Sequence, residues 1–433
     1  GNPAAWPVLP GVSTRSNGRV TMDCMAEPVH DLDALPVPDF SDYFYALSEA
    51  GLRGETKPVL PVEASRGCWW GEKEPCRFCG LVDAHGAYRA KSAGRVLGEL
   101  RFTAARWSAA CLDLVDSVVS RSFLEEVLPE LGARPLGVPL FAEVRPELTR
   151  EQMALLGRAG ITIQVGIESL NDHVLRLMHK GTLALENIRL LKSCSEYGVT
   201  VHWNLLYDVP GEEAADYAEL AEVMPSVSYL PPPDACVPVR LDRFSTYFRD
   251  RSTYGYAEHH PAAAFRHIYP FPPEELDEIA YGFEGTRDPA GSTIAGAMRH
   301  YRLQRDVRDW QRGPRGVGPR VKHDDGRHVI EDARPDATAD GLVLDPLDRL
   351  VLRASEGIAS RAELLAAARV WSREQSAIHP FAIRADESAQ MEGAEDVAMV
   401  RALDESLSRL EGHLLVVTIG DRCLSLVDFV AAP

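Results

Sequence analysis

Between Val59 and about Phe248, short apolar runs that end in polar residues alternate with stretches whose apolar positions recur three and four apart. The runs Val59–Ala64, Cys111–Asp116, Gly137–Val144, Ile161–Ile167 and Val199–Tyr207 predict strands, with a sixth at Ala235–Leu241. Between them, helices are predicted over Lys91–Arg106, Ser122–Leu131, Arg150–Arg158, Asp172–Met178 with Ala184–Tyr197, and Glu212–Met224. Strand–helix repeats of this kind imply parallel strands joined by right-handed crossovers. Five or six such units predict an α/β fold, a partial or full (β/α) barrel. Its active site would lie on the loops that follow the strands.

The flanks read differently. Residues 1–57 are rich in proline and turns, with one short helical candidate at Phe44–Ala50. They predict a connector, either the tail of a preceding domain or a segment that wraps the next one. The barrel occupies residues 58–285 and closes with a turn-rich apolar segment and a short helix from about Pro273. Residues 286–340 predict a basic helix and linker, with nine Lys and Arg against four Asp between Arg299 and Arg327. Arg302, Arg305, Arg308 and Arg312 recur at helical spacing and predict a solvated charged face. Residues 341–433 predict a separate small α+β domain with a winged-helix-like shape. Its helices fall at Pro346–Ala354, Ser360–Trp371 and Glu395–Leu410, and its strands Leu414–Ile419 and Cys423–Phe429 flank a turn at Gly420–Asp421.

Composition narrows the function classes. A chain of 433 residues with 45% hydrophobic and 25% charged residues is an ordinary soluble composition, long enough for two or three domains. No run approaches a membrane span and the start has no signal-peptide layout, so a cytoplasmic protein is expected. A net charge of −18 argues against nucleic acid and anionic membranes as partners, and leaves a peptide or small molecule. Of the eight cysteines, Cys24, Cys111, Cys194, Cys236 and Cys423 stand singly and read as small apolar residues.

The other three, Cys68, Cys76 and Cys79, are spaced C-x7-C-x2-C directly after the first predicted strand. Three thiolates on one loop suit a soft metal or an iron–sulfur cluster, and Gly67, Gly71 and Gly80 let the backbone bend around it. Structural metal sites are closed by four protein ligands, whereas reactive ones keep a position open. Three cysteines therefore predict either an open four-iron cluster or, with His85 as a fourth ligand, a Cys3His zinc site. The spacing of His259, His260 and His267 lacks a matching acidic or thiolate group that would complete a second metal site.

The phrases SRGCWWGEKEPCRFCGL, GIESLNDHVLRLMHKGT, WNLLYDVPGE and PVRLDRFSTYF resemble radical S-adenosylmethionine (SAM) enzymes that mature ribosomally made peptides, the branch of cobalamin-dependent peptide C-methyltransferases. The resemblance covers about residues 28–285, and DLDALPVPDF is similar to the linker that follows the branch's cobalamin domain. The C-x7-C opening departs from the superfamily's usual C-x3-C but matches this branch. What the resemblance implies is a [4Fe-4S] cluster on Cys68, Cys76 and Cys79, whose open iron binds the amino and carboxylate groups of SAM and whose electron cleaves SAM to a 5′-deoxyadenosyl radical. It further implies possible use of cobalamin, an external electron donor and a precursor-peptide substrate. The C-terminal domain resembles leader-peptide recognition modules and would bind the leader, or it is a plain cap for the barrel.

Residues for SAM are nominated at strand ends, following the superfamily. Asp116 and Ser117 end the second strand, Glu143 and Arg145 the third, Gln164, Glu168 and Ser169 the fourth, and Asn204 lies in the fifth. A carboxylate such as Glu168 suits ribose hydroxyls and a guanidinium such as Arg145 suits a carboxylate. Each reads equally as a helix cap or a rim ion pair. Asn171 and Asp172 read as a helix cap, His179–Lys180 before Gly181 as a basic helix end, and Asp208–Glu212 as a turn into a helix. Arg243 and Ser245 are placed at the substrate-facing end. Trp69, Trp70, Trp203 and Tyr207 read as core or as a shield beside the cluster. The implied reaction is C-methylation at an unactivated carbon. Cyclopropane formation, epimerisation or crosslinking is the alternative within the class, and a zinc-stabilised peptide-binding protein is the alternative outside it.

Overall fold

A computed structural model describes residues 10–16, 18–22, 26–81, 87–287, 294–313, 318–334, 337–378 and 388–429. Strands β1 (Val59–Val62), β2 (Cys111–Leu114), β3 (Leu140–Val144), β4 (Ile161–Val165) and β5 (Val201–His202) lie side by side in that order, every pair parallel. The ladder breaks at Trp203 and resumes as β6 (Asn204–Tyr207), which pairs in parallel with β7 (Ala235–Pro238). A bridge between Glu168 and Leu205 ties the two sheets together. Among the described residues β7 does not pair with β1, so the barrel is partial.

Each crossover is built from local signals. Helix α1 (Ala93–Arg106) starts where Ser92 Oγ accepts from the Arg95 N–H. Helix α2 (Leu128–Ala133) continues a wide turn at Phe123–Val127. Thr149 and Gln152 cap α3 (Arg150–Ala159) reciprocally, and left-handed Gly160 ends it. Asn171 caps α4 (Asp172–Leu177), α5 (Ala184–Tyr197) ends at left-handed Gly198, and α6 (Ala214–Val227) completes the series.

Burial alternates along the strands with period two. Leu112, Leu114, Leu140, Ala142, Ile161 and Ile163 face the helices and are almost wholly buried with Leu100, Leu156 and Leu191. Their neighbours Cys111, Asp113, Phe141, Glu143, Thr162, Gln164, His202 and Asn204 are half-buried and line the open interior.

The segment after the barrel strands is more ordered than its turn-rich composition suggests. Strands β8 (Leu241–Asp242), β9 (Tyr256–Pro261) and β10 (Gly282–Arg287) form an antiparallel sheet with β10 central. β9 escapes a sequence reading because only its end residues Tyr256 and Pro261 are buried, leaving no alternation to see. Helix α7 (Ile294–Arg312) buries Leu303, Val307 and Trp310 against the barrel and leaves Arg302, Arg305, Arg308 and Arg312 outside, as the helical spacing of the arginines predicts. The early segment wraps α1: Asp33 Oδ1 accepts from the Ser92 N–H, and Arg95 donates to the Leu35 carbonyl.

The C-terminal unit begins with a hairpin of β11 (Arg320–Asp324) and β12 (Arg327–Glu331). Helix α8 (Pro346–Ala354), β13 (Ala359–Ser360), α9 (Arg361–Ile378), α10 (Ser388–Gly412), β14 (Val416–Ile419) and β15 (Arg422–Ser425) follow, and the sheet order β13–β15–β14 places three helices beside a hairpin in the winged-helix manner. A last strand, β16 (Asp428–Phe429), pairs with β11. Val351, Leu352, Leu364, Leu403 and Leu410 form this unit's core, while Val417, Leu424 and Leu426 join the core of the barrel.

Candidate active site

The cysteine loop leaves the mouth of the barrel directly after β1. Ser65–Arg66 and Arg89–Ala90 pair antiparallel and pinch its base. Within it, the Glu72 N–H donates to Cys68 O and the Cys79 N–H to Cys76 O, at 3.1 Å each, so two tight turns present the three thiols. Gly67 takes a left-handed φ of 84° at the entrance. Gly80 at the exit lies so close to the chain before β9 that a Cβ would meet the Arg243 carbonyl oxygen at 2.0 Å.

All three thiols are half-buried and free; Cys79 has both Cys76 and Cys68 in its electrostatic surroundings, and Cys76 has Cys68. Burial pushes both up, Cys79 to about 11, with Lys180 and, for Cys76, Arg145 pulling the other way. Among the described residues no three His, Cys, Asp or Glu side chains gather closely enough to hold a metal ion directly. A tetrahedral zinc needs its thiolates ~3.8 Å apart, given Zn–S bonds of ~2.3 Å. A four-iron cluster instead gives each thiolate its own iron and spreads them. His85 lies outside the described residues, as does Cys24. The donor set of three unpaired thiols, beside a buried Trp70 indole N–H with no hydrogen-bond partner, fits a cluster.

The loop sits on the turn that follows α4. The Arg77 N–H donates to Met178 O at 2.9 Å and its guanidinium to Leu177 O at 3.0 Å. Arg145 stacks on Trp70 at 4.0 Å and donates to Lys180 O, while Glu147 holds it at 2.6 Å. Lys180, 7% exposed, brings its ammonium to 3.2 Å from Glu168 and 5.5 Å from the Phe78 ring. Burial alone would lower its pKa, but Glu168 and Cys76 outweigh burial and raise it. Two glycines make this possible: a Cβ on Gly166 would meet Lys180 Nζ at 2.5 Å, and one on Gly181 would meet the Trp70 ring at 2.0 Å. Glu168 and His179 both adopt left-handed φ, near 60°, which marks a turn held by its surroundings. Asn187 supplies some of that hold, donating to the carbonyls of Ile167 and Ser169.

The nominated SAM residues separate into groups. Glu143, Arg145, Gln164 and Glu168 converge on the mouth: Glu143 and Gln164 are register partners, and Glu143 feels both Lys180 and Glu168. Burial, then the neighbouring Asp113, push Glu143 up to about 7. Asn204 is half-buried at the start of β6, on the separate two-stranded sheet that β6 forms with β7. Asp116 is engaged within the fold, its carboxylate accepting from the Ala64 N–H at 2.8 Å and the Ser65 hydroxyl at 2.7 Å, so it ties β2 to the end of β1. Ser117 is half-buried beside it. Ser169 is buried and accepts from the Asn171 N–H inside the turn. Among the aromatics, Trp203 is core, with its N–H on Pro231 O and its ring edge-on to Trp310. Trp69 and Trp70 belong to the cysteine loop itself.

Three interior residues escaped the sequence reading. Lys180 resembles a solvated helix-end cation, and only Gly166 and Gly181 signal the space it fills. Asp113 carried a signal that could have found it, being two residues from Cys111 on the same strand face. His202 is oriented by Asp234 at 2.9 Å, a pairing across 32 residues that no local pattern carries.

A partial parallel barrel with three thiols on the loop after its first strand defines a class, and residues 62–224 match the model of the Radical SAM superfamily. This stretch is a radical SAM domain, and such a domain implies a [4Fe-4S] cluster and SAM as its cofactors. The chain is 22% identical over 207 residues to an uncharacterized methyltransferase of Pyrococcus horikoshii, covering 47% of this chain and 43% of that protein. It is 27% identical over 182 residues to the bacteriochlorophyllide d C-12(1)-methyltransferase of Chlorobaculum tepidum, covering 41% and 38%. The match thus spans less than half the length of either relative. Among solved structures, the radical SAM methyltransferase TsrM of Kitasatospora setae, with cobalamin and a [4Fe-4S] cluster bound, is similar at a TM-score of 0.44 and 16% identity, over 57% of this chain and 52% of that one. Among the described residues no helix is long and apolar enough to cross a membrane.

Proposed function

We propose that this chain carries the catalytic core of a radical SAM methyltransferase that acts on an unactivated carbon of a ribosomally made precursor peptide, with cobalamin as methyl carrier. The observation that carries the reading is the cysteine loop docked over a mouth lined by Glu143, Arg145, Gln164 and Glu168. Both curated relatives bear methyltransferase names, which supports the reaction type. The peptide substrate and cobalamin rest on the family phrases in the sequence. The C-terminal unit is the candidate holder of the leader peptide. A reducing cytoplasm and a low-potential electron donor suit a cluster held by thiolates.

When bound, the cluster supplies the electron that splits the C–S bond of SAM. Cys68, Cys76 and Cys79 would hold it, and Trp69 and Trp70 on the same loop would shield it from solvent. Glu168, held by Lys180 and by backbone bonds on either side, offers oxygens to the ribose hydroxyls. Arg145 offers its edge to a carboxylate once Glu147 yields. Gln164 and Asn204 line the path inward, where substrate binds.

The test is anaerobic reaction with the precursor peptide, read by mass spectrometry. Cobalamin-dependent methylation should yield a peptide one methyl heavier with both S-adenosylhomocysteine and 5′-deoxyadenosine, whereas epimerisation or crosslinking would yield 5′-deoxyadenosine without S-adenosylhomocysteine. Cys76→Ala should abolish both small products. SAM cleavage that survives in that variant would overturn the assignment.

A further inference from the structure

Strand β14 is an edge of its sheet and lies beside α6 of the barrel. The Leu426 N–H donates to Leu415 O at 2.9 Å, and the same register continues through Val417 and Leu424. Alternation along an antiparallel ladder then turns the N–H and C=O groups of Val416 and Thr418 away from β15. Among the described residues nothing pairs with them. Edge strands are ordinarily protected by lysine, proline or a bulge, and Val416–Ile419, reading VVTI in unbroken register, has none of these. Facing this edge, Glu219, Glu222, Val223 and Ser226 share one face of α6 at helical spacing, and the two walls bound a groove of about 450 Å³. Glu411 at the end of α10 adds a third carboxylate, and no lysine, arginine or histidine lines the groove. Glu219 accepts from Asn171 Nδ2 at 2.6 Å, whereas Glu222 and Glu411 are exposed and have no ion-pair partner among the described residues. Leu170 and Asn171, which directly follow the Glu168–Ser169 turn at the barrel mouth, line the same groove. Ile419 packs toward the cluster that holds Val174 and Leu175 of α4, so β14 points toward that mouth.

We propose that this groove between barrel and C-terminal unit binds an extended, lysine- or arginine-bearing segment of the precursor peptide as an added strand on β14, directing the residues beyond it to the barrel mouth. The proposal rests on the peptide-substrate reading and names the surface that holds the peptide. The free N–H and C=O groups of Val416 and Thr418 give main-chain pairing along about four residues, at ~3.3 Å per residue. Leu170, Val223 and Leu414 offer apolar contact to the side chains between those pairings. Glu222 and Glu411 supply the complementary charge for a basic segment and repel an acidic one.

The experiment is fluorescence anisotropy of the anaerobically reconstituted full chain with short fluorescein-labelled peptides, one alternating lysine with valine and one alternating glutamate with valine. The lysine probe should bind saturably, and the glutamate probe about tenfold more weakly or not at all. Affinity for the lysine probe should fall about tenfold in the double variant Glu222→Lys, Glu411→Lys, where the groove changes sign. It should fall by a similar factor, about tenfold, in Thr418→Pro, which removes an outward N–H without touching the ladder to β15. Wild-type protein that binds neither probe, or both alike, overturns the proposal, as do variants with wild-type affinity. Should Thr418→Pro lose its fold by circular dichroism, lysine probes N-methylated at alternate amides decide: loss of binding in one methylation frame alone supports strand addition, and any other pattern overturns it. Binding is read without turnover, so the two readings fail separately. A precursor peptide that gains no methyl group would sink the methylation reading and leave these affinities unchanged.

Discussion

Asp116 illustrates how one residue can be read correctly in kind and differently in role. Its place at the end of β2 suggests a hand for SAM, yet both oxygens are taken by Ala64 and Ser65. Burial raises its pKa from 3.8 to about 6, opposed by those hydrogen bonds. In the unfolded chain it ionises first, so between about pH 4 and 6 the folded protein binds the extra proton and stability falls as pH rises. Asp116→Asn should remove that part of the slope while costing about 1–3 kcal/mol, because one of two buried donors loses its acceptor. Urea unfolding of both proteins at pH 4.5 and 6.5 checks it; parallel slopes would show that the carboxyl does not titrate in this window. The nearby residues Glu143 and Gln164 follow the strand alternation and were legible for that reason.

At the scale of elements, strands and helices of the barrel follow the apolar period closely, because each strand is buried on its helix face and each helix on one side. What period could not reveal is how the cysteine loop docks. Its fit depends on Gly80 against the chain at Arg243 and on the turn at Leu177–Gly181, which lie far apart in sequence. Gly80→Ala should force the loop off Arg243, where a backbone oxygen cannot yield. The expected cost is about 1–3 kcal/mol for overpacking. Iron bound per chain after reconstitution should fall with it, since Cys79 is the adjacent residue. Wild-type stability and iron content together would show that the contact is slack. Strand β9 marks the other limit, since a strand exposed on both faces writes no period.

In the whole molecule, the C-terminal unit is joined to the barrel by more than a linker. Lys192 on α5, 6% exposed in its side chain, donates to the carbonyls of Ser425 and Val427 and lies 3.3 Å from Glu196 and 3.7 Å from Asp428. Tyr229 adds a hydroxyl on Leu426 O. Removing the cation leaves buried acceptors and carboxylates unmatched, which costs about 3–5 kcal/mol. Lys192→Met should therefore lower the calorimetric midpoint and split one transition into two, as the units lose their coupling. A single transition at the wild-type temperature would mean the interface holds through Val417, Leu424 and Leu426 alone.

The sequence by itself determined the order of the parallel strands and their helices, a (β/α) barrel left open between partial and full, the winged-helix helices and hairpin, and the thiol loop after β1. All of these are written in local spacing, which a chain carries before it folds. Tertiary structure alone decided that Lys180 is buried beside Cys76, that Asp116 is spent inside the fold, that Asp234 orients His202, and that Lys192 clamps a distant strand. Such pairings join residues many positions apart, and charge burial depends on the space that distant glycines leave open, so neither leaves a periodic trace.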